Sequence, residues 1–470
     1  MAAGLASWMH AVALAGANAA IPEGDAAHYR AMALEMLAGA ARADLSSVLS
    51  LATSLVPNPG ILAAWLALVQ GLCGIGERAA VAAWLPFHLL LAAGLWRGGN
   101  AVGGRVGGAF AVVAGLASPV IVHAARSSMF DFPLVGCVAF AVGGLLDGGF
   151  VAAGVATGMA LWTRLAGGPL LAVPLVDTVI RARRTPRRLW PLVGIPVAFV
   201  MVLYPWHAAE VVAYAQAGGN VPEALRGGAG LGGRLAMYVD AAFVVAQPPV
   251  LIGLVVALLS GGGLRMLGWA VGMVLALLPL TVNPQARYLL PVVPVLVLAV
   301  ASMAPRWSRV LPILALTTVA QTVAYDLNVS GAVVGQSDWR RTPPSTPEFP
   351  IDAALDWLVD AAESANSASA GGAAGGAAGG VTVAVHVEDW PGISFAALRY
   401  RALERGLNLR LIAVDESRPL RQPVALALVL RRSPQTARAA WLTSLPPPSK
   451  TLACPDGFTL ALIAGAIPPE

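Results

Sequence analysis

The chain has 470 residues, 57% hydrophobic and only 12% charged, with mean hydropathy +0.71 and a formal net charge of +5. Soluble proteins carry nearer to about 25% charged residues, so a water-soluble globule is excluded and most of this chain must face lipid or other membrane helices. The arginines fall in loops rather than on one aromatic-studded face, which gives no support to a nucleic-acid partner.

Repeated apolar stretches match the ~30 Å hydrocarbon thickness, and their Ala, Leu, Val and Gly content suits helices rather than alternating barrel strands. The expected class is an α-helical polytopic membrane protein with about eleven transmembrane helices. The first run, Leu5 to Ala20, lacks a basic leader and reads as a retained helix rather than a cleaved signal. Asp25 follows in the segment Glu23 to Arg30, directly before the helix-forming run Ala26 to Leu37. Its carboxylate suits a helix N-cap, which is compatible with a catalytic role, and Tyr29 follows at i+4 with His28 beside it. Ile61 to Gly74 is short for a span and fits a surface helix.

Further spans are expected at Ala79–Trp96, Val106–Val122, Phe132–Leu146, Val151–Thr163, Gly168–Ile180, Trp190–Tyr204, Ala242–Leu259, Leu267–Val282, Tyr288–Met303 and Val310–Tyr325. The positive-inside rule fixes their direction. With a cytoplasmic amino terminus and 61–74 on the surface, Arg97, Arg105, the basic block 181–188, Arg265, Arg306 and Arg309 all fall inside. The same parity puts Asp25, the Arg126 to Asp131 turn, Arg164, the long loop His207 to Asp240, Arg287 and everything beyond Asp326 on one outer face.

Three regions are therefore expected: a membrane domain 1–326 with first outer loop 21–78, an outer connector 327–380, and a small soluble α/β domain 381–470. In the connector, Ile351 to Ala362 is amphipathic and helical, and Ser364 to Gly380 is an Ala/Gly/Ser linker with no phosphate-cradling motif. Strands are expected at 381–387, 409–414 and 424–430, a helix at 393–405, and short strands at the end. The cysteines, Cys73, Cys137 and Cys454, are too scattered for a metal motif or a disulfide framework.

On the outer face, Asp131 is either a cap for the helix entered at Pro133 or a functional acid, with Arg126 placed to pair with it. Arg164 is either a snorkelling anchor or an anion contact. Arg287 beside Tyr288 is either an interfacial anchor or a phosphate clamp. His207, in Tyr204-Pro205-Trp206-His207, sits in an aromatic belt without a metal-ligand pattern around it.

In order along the chain, these segments resemble the GT-C superfamily of integral-membrane glycosyltransferases, in the branch of protein O-mannosyltransferases and lipid A aminoarabinose transferases. The match runs through the acidic-x(3)-Tyr segment Asp25 to Tyr29, the Arg-x(4)-Asp-x-Pro-Leu turn Arg126 to Leu134, and the basic residue closing Gly158 to Arg164. It continues through Pro205-Trp206 and ends on Arg-Tyr-Leu-x-Pro at Arg287 to Pro291. The resemblance implies that Asp25 is the catalytic base or the carboxylate that orients the acceptor, with Asp131 a second catalytic acid, and that Arg164, Arg287, Tyr288 and Arg126 hold the donor phosphate. Tyr29, His28 and His207 then fall to the acceptor and its loop. It further implies a polyprenyl-phosphate sugar donor, a lipid, glycan or protein acceptor, and inversion at the sugar. The chain departs from the pattern at Ala26, where many members have a second acid, and at Pro57 to Gly60. No cofactor is certain from these residues and a divalent metal is left open. The competing class is a transporter or flippase of lipid-linked sugars, for which paired broken helices and charges within spans would be the cue. A membrane scaffold displaying the tail is a third reading, and it leaves Asp25 and Asp131 unexplained.

Overall fold

The structure is a computed structural model, and it describes residues 1–15, 24–54, 60–126, 130–164, 167–182, 186–209, 231–277, 286–327, 351–369, 381–387, 395–407, 409–413, 424–431, 448–453 and 459–467. The chain divides into two compact units, one made of Met1–Ala17 with Ala43–Pro343 and the other of Asn18–Arg42 with Pro344–Glu470. The carboxy-terminal unit therefore recruits residues 18–42, which the sequence places in an outer loop of the membrane domain.

In the first unit, α1 (Ala2–Ala15) is followed by α3 (Leu45–Thr53), α4 (Ile61–Cys73), α5 (Glu77–Ala82) and α6 (Leu85–Leu116), α2 belonging to the second unit. Next come α7 (Pro119–Arg126), α8 (Asp131–Asp147), α9 (Phe150–Thr163), α10 (Gly167–Ala182) and α11 (Pro186–Leu203). The series closes with α12 (Leu231–Leu259), α13 (Leu264–Leu277), α14 (Val293–Ala301), α15 (Ala304–Trp307) and α16 (Val310–Asp326). Helices α8, α9, α10 and α16 coincide with apolar stretches read as spans. Among the described residues the stretches Glu77–Leu116 and Tyr238–Leu259 are long and apolar enough to cross a membrane, and shorter apolar helices accompany them.

Helix α6 is not straight. Gly104 sits at φ 62° and ψ −165°, outside helical geometry, and the two arms fold back on each other: a Cβ added at Gly99 would lie 2.6 Å from the Gly107 carbonyl oxygen, and one at Gly115 2.4 Å from Leu95 Cδ1. The hairpin thus reproduces the two spans expected on either side of Arg97 and Arg105. Small residues also seat α6 on α8, since a Cβ at Gly94 would meet the Ala139 carbonyl at 2.4 Å and one at Gly143 the Gly94 carbonyl oxygen at 2.3 Å. Close approach of this kind is how helices pack where lipid removes the hydrophobic drive. In α12, Gln247 at φ 57° precedes Pro248 and Pro249 and bends the helix, while Gln321 Nε2 donates to Gln247 Oε1 at 2.7 Å.

The second unit holds α2 (Gly24–Ala41), α17 (Ile351–Ser369), β1 (Val381–Val387), α18 (Phe395–Glu404), β2 (Leu409–Ala413), β3 (Val424–Arg431), β4 (Lys450–Ala453) and β5 (Thr459–Ile467). The sheet order is β2-β1-β3-β5-β4, with β1 parallel to β2 and β3 and with β5 antiparallel to β3 and β4. The parallel β1–β2 pair is joined through α18, as a parallel connection requires. Val383, Val385, Leu426, Leu428 and Leu462 from the sheet share one core with Ile351, Ala354, Leu355 and Leu358 of α17, Ala397 and Leu398 of α18, and Ala27, Ala31 and Leu34 of α2. The i, i+3, i+4, i+7 spacing on α17 is the apolar stripe of a helix lying on a sheet. Helix α17 runs to Ser369, so the first residues of the expected linker 364–380 are helical, and 370–380 lie outside the described residues.

Candidate active site

Helix α8 opens on Asp131, which stands in the first turn rather than at the cap; Phe130 holds the cap position without a side-chain bond. A carboxylate there is favoured by the helix dipole. Gly148, left-handed at φ 79°, turns the chain from α8 into α9, so the end of α9 returns to the start of α8. Arg164 leaves α9 in an extended conformation, φ −155° and ψ 145°, and its Nη1 donates to Asp131 Oδ1 at 2.6 Å. Both residues are buried, Asp131 at 2% and Arg164 at 7% exposure. Such a pair survives burial only because each charge answers the other. Asp131 Oδ2 is buried and takes no hydrogen bond among the described residues.

A 3-10 turn at Ala286–Val292 brings Tyr288 and Arg287 to the same place. The Arg164 guanidinium lies 5.5 Å from the Tyr288 ring centroid, and that of Arg287 also lies 5.5 Å from it, both within cation–π range. Asp131, expected as a catalytic acid, and Arg164, Tyr288 and Arg287, expected at the donor phosphate, therefore form one chain of contacts. Arg164 is buried and bonded to Asp131.

Arg126 belongs elsewhere, which corrects the expected pairing with Asp131. It bonds to Asp326 and lies 5.2 Å from the Tyr325 ring, at the end of α16. His10 Nε2 meets Asp326 Oδ2 at 2.9 Å and His123 Nδ1 meets the Tyr325 hydroxyl at 2.7 Å. The physical reason is that α7 packs on α1 and α16, whereas the first turn of α8 faces the end of α9. Of this second cluster the sequence reading had only Arg126; a histidine inside an apolar run, as at His10, and the Tyr325-Asp326 pair closing a span were the available signals. His88 was missed for the same reason: it is 1% exposed in α6 and its ring lies 4.4 Å from that of Phe132.

His207 is half-buried in the 3-10 turn Tyr204–His207, and Tyr204 of that turn donates to the Leu161 carbonyl at 2.9 Å, in the last turn of α9. Asp25, His28 and Tyr29 lie on α2 in the second unit. Helix α2 starts at Gly24, so Asp25 stands within its first turn instead of capping it, and its side chain lies outside the described residues. Tyr29, expected to face an acceptor from a loop, is helical and fully buried; His28 is half-buried, its ring 5.9 Å from that of Tyr29.

No family model matches the chain, and no curated protein matches it. Among solved structures it is similar to ArnT from Cupriavidus metallidurans bound to undecaprenyl phosphate, with a TM-score of 0.58 and 16% identity over 98% of this chain and 96% of that one. It is likewise similar to the apo state of the same protein, with a TM-score of 0.60, 16% identity and the same coverage. The chain has the fold of ArnT. The likeness of fold covers nearly the whole chain, residues of both units included.

Proposed function

We propose that the protein is an inverting glycosyltransferase that moves a sugar from a polyprenyl-phosphate donor to an acceptor on the extracytoplasmic face of the membrane. The observation that carries this reading is the ArnT fold over 98% of the chain, in a form crystallised with undecaprenyl phosphate, around a buried cluster with the right chemistry. In the proposed reaction Asp25 takes the proton from an acceptor hydroxyl as its oxygen attacks the anomeric carbon, and the bond to phosphate breaks with its electron pair leaving as polyprenyl phosphate. The half-buried Arg287 meets the departing phosphate, where permanently charged planar donors in a water-poor cleft are worth most. Arg164, paired to Asp131, adds its positive charge and holds Tyr288 between the two guanidiniums. Asp131 Oδ2 is left to accept from a sugar hydroxyl. The carboxy-terminal unit lies on the extracytoplasmic side in this reading.

The test is to incubate purified protein with undecaprenyl-phosphate-linked pentoses and hexoses and a cell-envelope extract, and to follow release of undecaprenyl phosphate. Turnover with at least one donor, abolished in Asp25→Asn, is the expected result. Sugar uptake into vesicles with no product formed would replace the reading with a transporter.

A further inference from the structure

Helix α2 carries Asp25, yet it folds with a part of the chain hundreds of positions away. Ala27, Ala31 and Leu34, spaced i, i+4, i+7, are at most 5% exposed and sit in one core with Ala397, Leu398 and Tyr400 of α18. Beside this face Arg399 Nε donates to Glu35 Oε1 at 2.9 Å and its Nη2 bonds the same oxygen, across 364 positions of sequence. Arg30, 1% exposed, places its guanidinium 5.6 Å from the Tyr400 ring centroid. Tyr400 is held in turn by its hydroxyl, which donates to Glu404 Oε1 at 2.9 Å. Apolar packing fixes the depth of α2, and the two arginine contacts, at different points along the helix, fix its rotation and its slide along α18.

We infer that the carboxy-terminal unit positions the catalytic base: through Glu35–Arg399 and Arg30–Tyr400, α18 sets the place of α2 and hence of Asp25. Glu35, Arg30, Arg399 and Tyr400 are positioning residues, and the unit they belong to is a working part of the transferase rather than a module for choosing acceptors. This rests on the reading of Asp25 as the base. A carboxylate that must accept a proton in the transition state tolerates little displacement, and a shift near 1 Å from a remote change costs roughly a hundredfold.

The test uses the full-length protein. Glu35→Arg and Arg399→Glu are made singly and together, and kcat and donor KM are measured for release of undecaprenyl phosphate from an undecaprenyl-phosphate-linked sugar. In parallel, Ala31→Cys is introduced into each and its maleimide adduct located by peptide mass mapping. Each single reversal lowers kcat by roughly tenfold to a hundredfold, leaves the donor KM unchanged and makes position 31 reactive; the double reversal restores kcat and protection. A position 31 that reacts in the otherwise native chain overturns the inference, as does a double reversal no better than the singles. Full turnover by Asp25→Asn overturns the reading it rests on; an inactive Asp25→Asn with unaltered kcat in both single reversals overturns this inference alone.

Discussion

Helix α8 begins and ends on an aspartate paired with an arginine, and the two pairs are built to opposite ends. At its start, Asp131 and Arg164 have side chains only 3% and 8% exposed and one carboxylate oxygen takes no bond among the described residues. At its close, Asp147 and Arg97 are 29% and 25% exposed, joined by two bonds at 2.6 and 2.8 Å, and Asp147 also accepts from the Gly149 amide at 2.9 Å. Both arginines lean on an aromatic ring, Arg164 on Tyr288 and Arg97 on Phe140. The difference lies in saturation. A half-exposed pair with its bonds complete offsets the unfavourable place of a carboxylate at a helix C-terminus and does no more. A buried pair with an oxygen to spare has been kept at a cost that packing alone does not explain.

The comparison is broken most directly at Asp131. Asp131→Ala leaves a guanidinium buried without its carboxylate and is expected to cost about 3–5 kcal/mol of stability, read by thermal unfolding in detergent, with loss of donor turnover. A stable, active Asp131→Ala would remove the distinction. Gly94→Leu attacks the seam that holds α8 against α6, where the added side chain meets backbone at once, and should cost about 1–3 kcal/mol by the same measurement. Asp147→Ala, at the saturated end, should cost less than about 1 kcal/mol and leave turnover unchanged.

The smallest effect is expected outside the membrane part. Arg401 grips Asp352 with bonds at 2.9 and 3.0 Å and holds its carboxyl below the ordinary carboxylate range. A lowered folded value means that the pair stabilises the second unit fully above the ordinary carboxylate range and loses that contribution as pH falls through the folded value. Limited proteolysis across pH should show Asp352→Asn less stable than the parent near neutrality and the two converging in acid, within about 1 kcal/mol throughout because the pair is part-exposed.

Much of this architecture was legible because lipid imposes one rule on every span, and runs such as Val151–Thr163 and Val310–Tyr325 announce themselves by composition. The tail strands at 381–387 and 424–430 were legible by their apolar runs and now stand as β1 and β3. Partners were harder. Which arginine reaches Asp131 depends on α9 running back along α8, and nothing in Arg126 or Arg164 states that. The membership of α2 in the distant unit was hidden because its apolar face is made of Ala27, Ala31 and Leu34, which would suit any helix surface; the specific contacts are Glu35–Arg399 and Arg30–Tyr400, and none of these residues names its counterpart in sequence.

The reversal at Gly104 bears on how the chain is made. Arms that touch at Gly99 and Gly107 are separated by only a few residues of chain, so their pairing needs no distant partner and closes a very short loop. Arg97 and Arg105 flank that bend, so both charges gather towards one end of the paired arms instead of at their middle, where a charge costs about 2.5–3.5 kcal/mol on insertion scales.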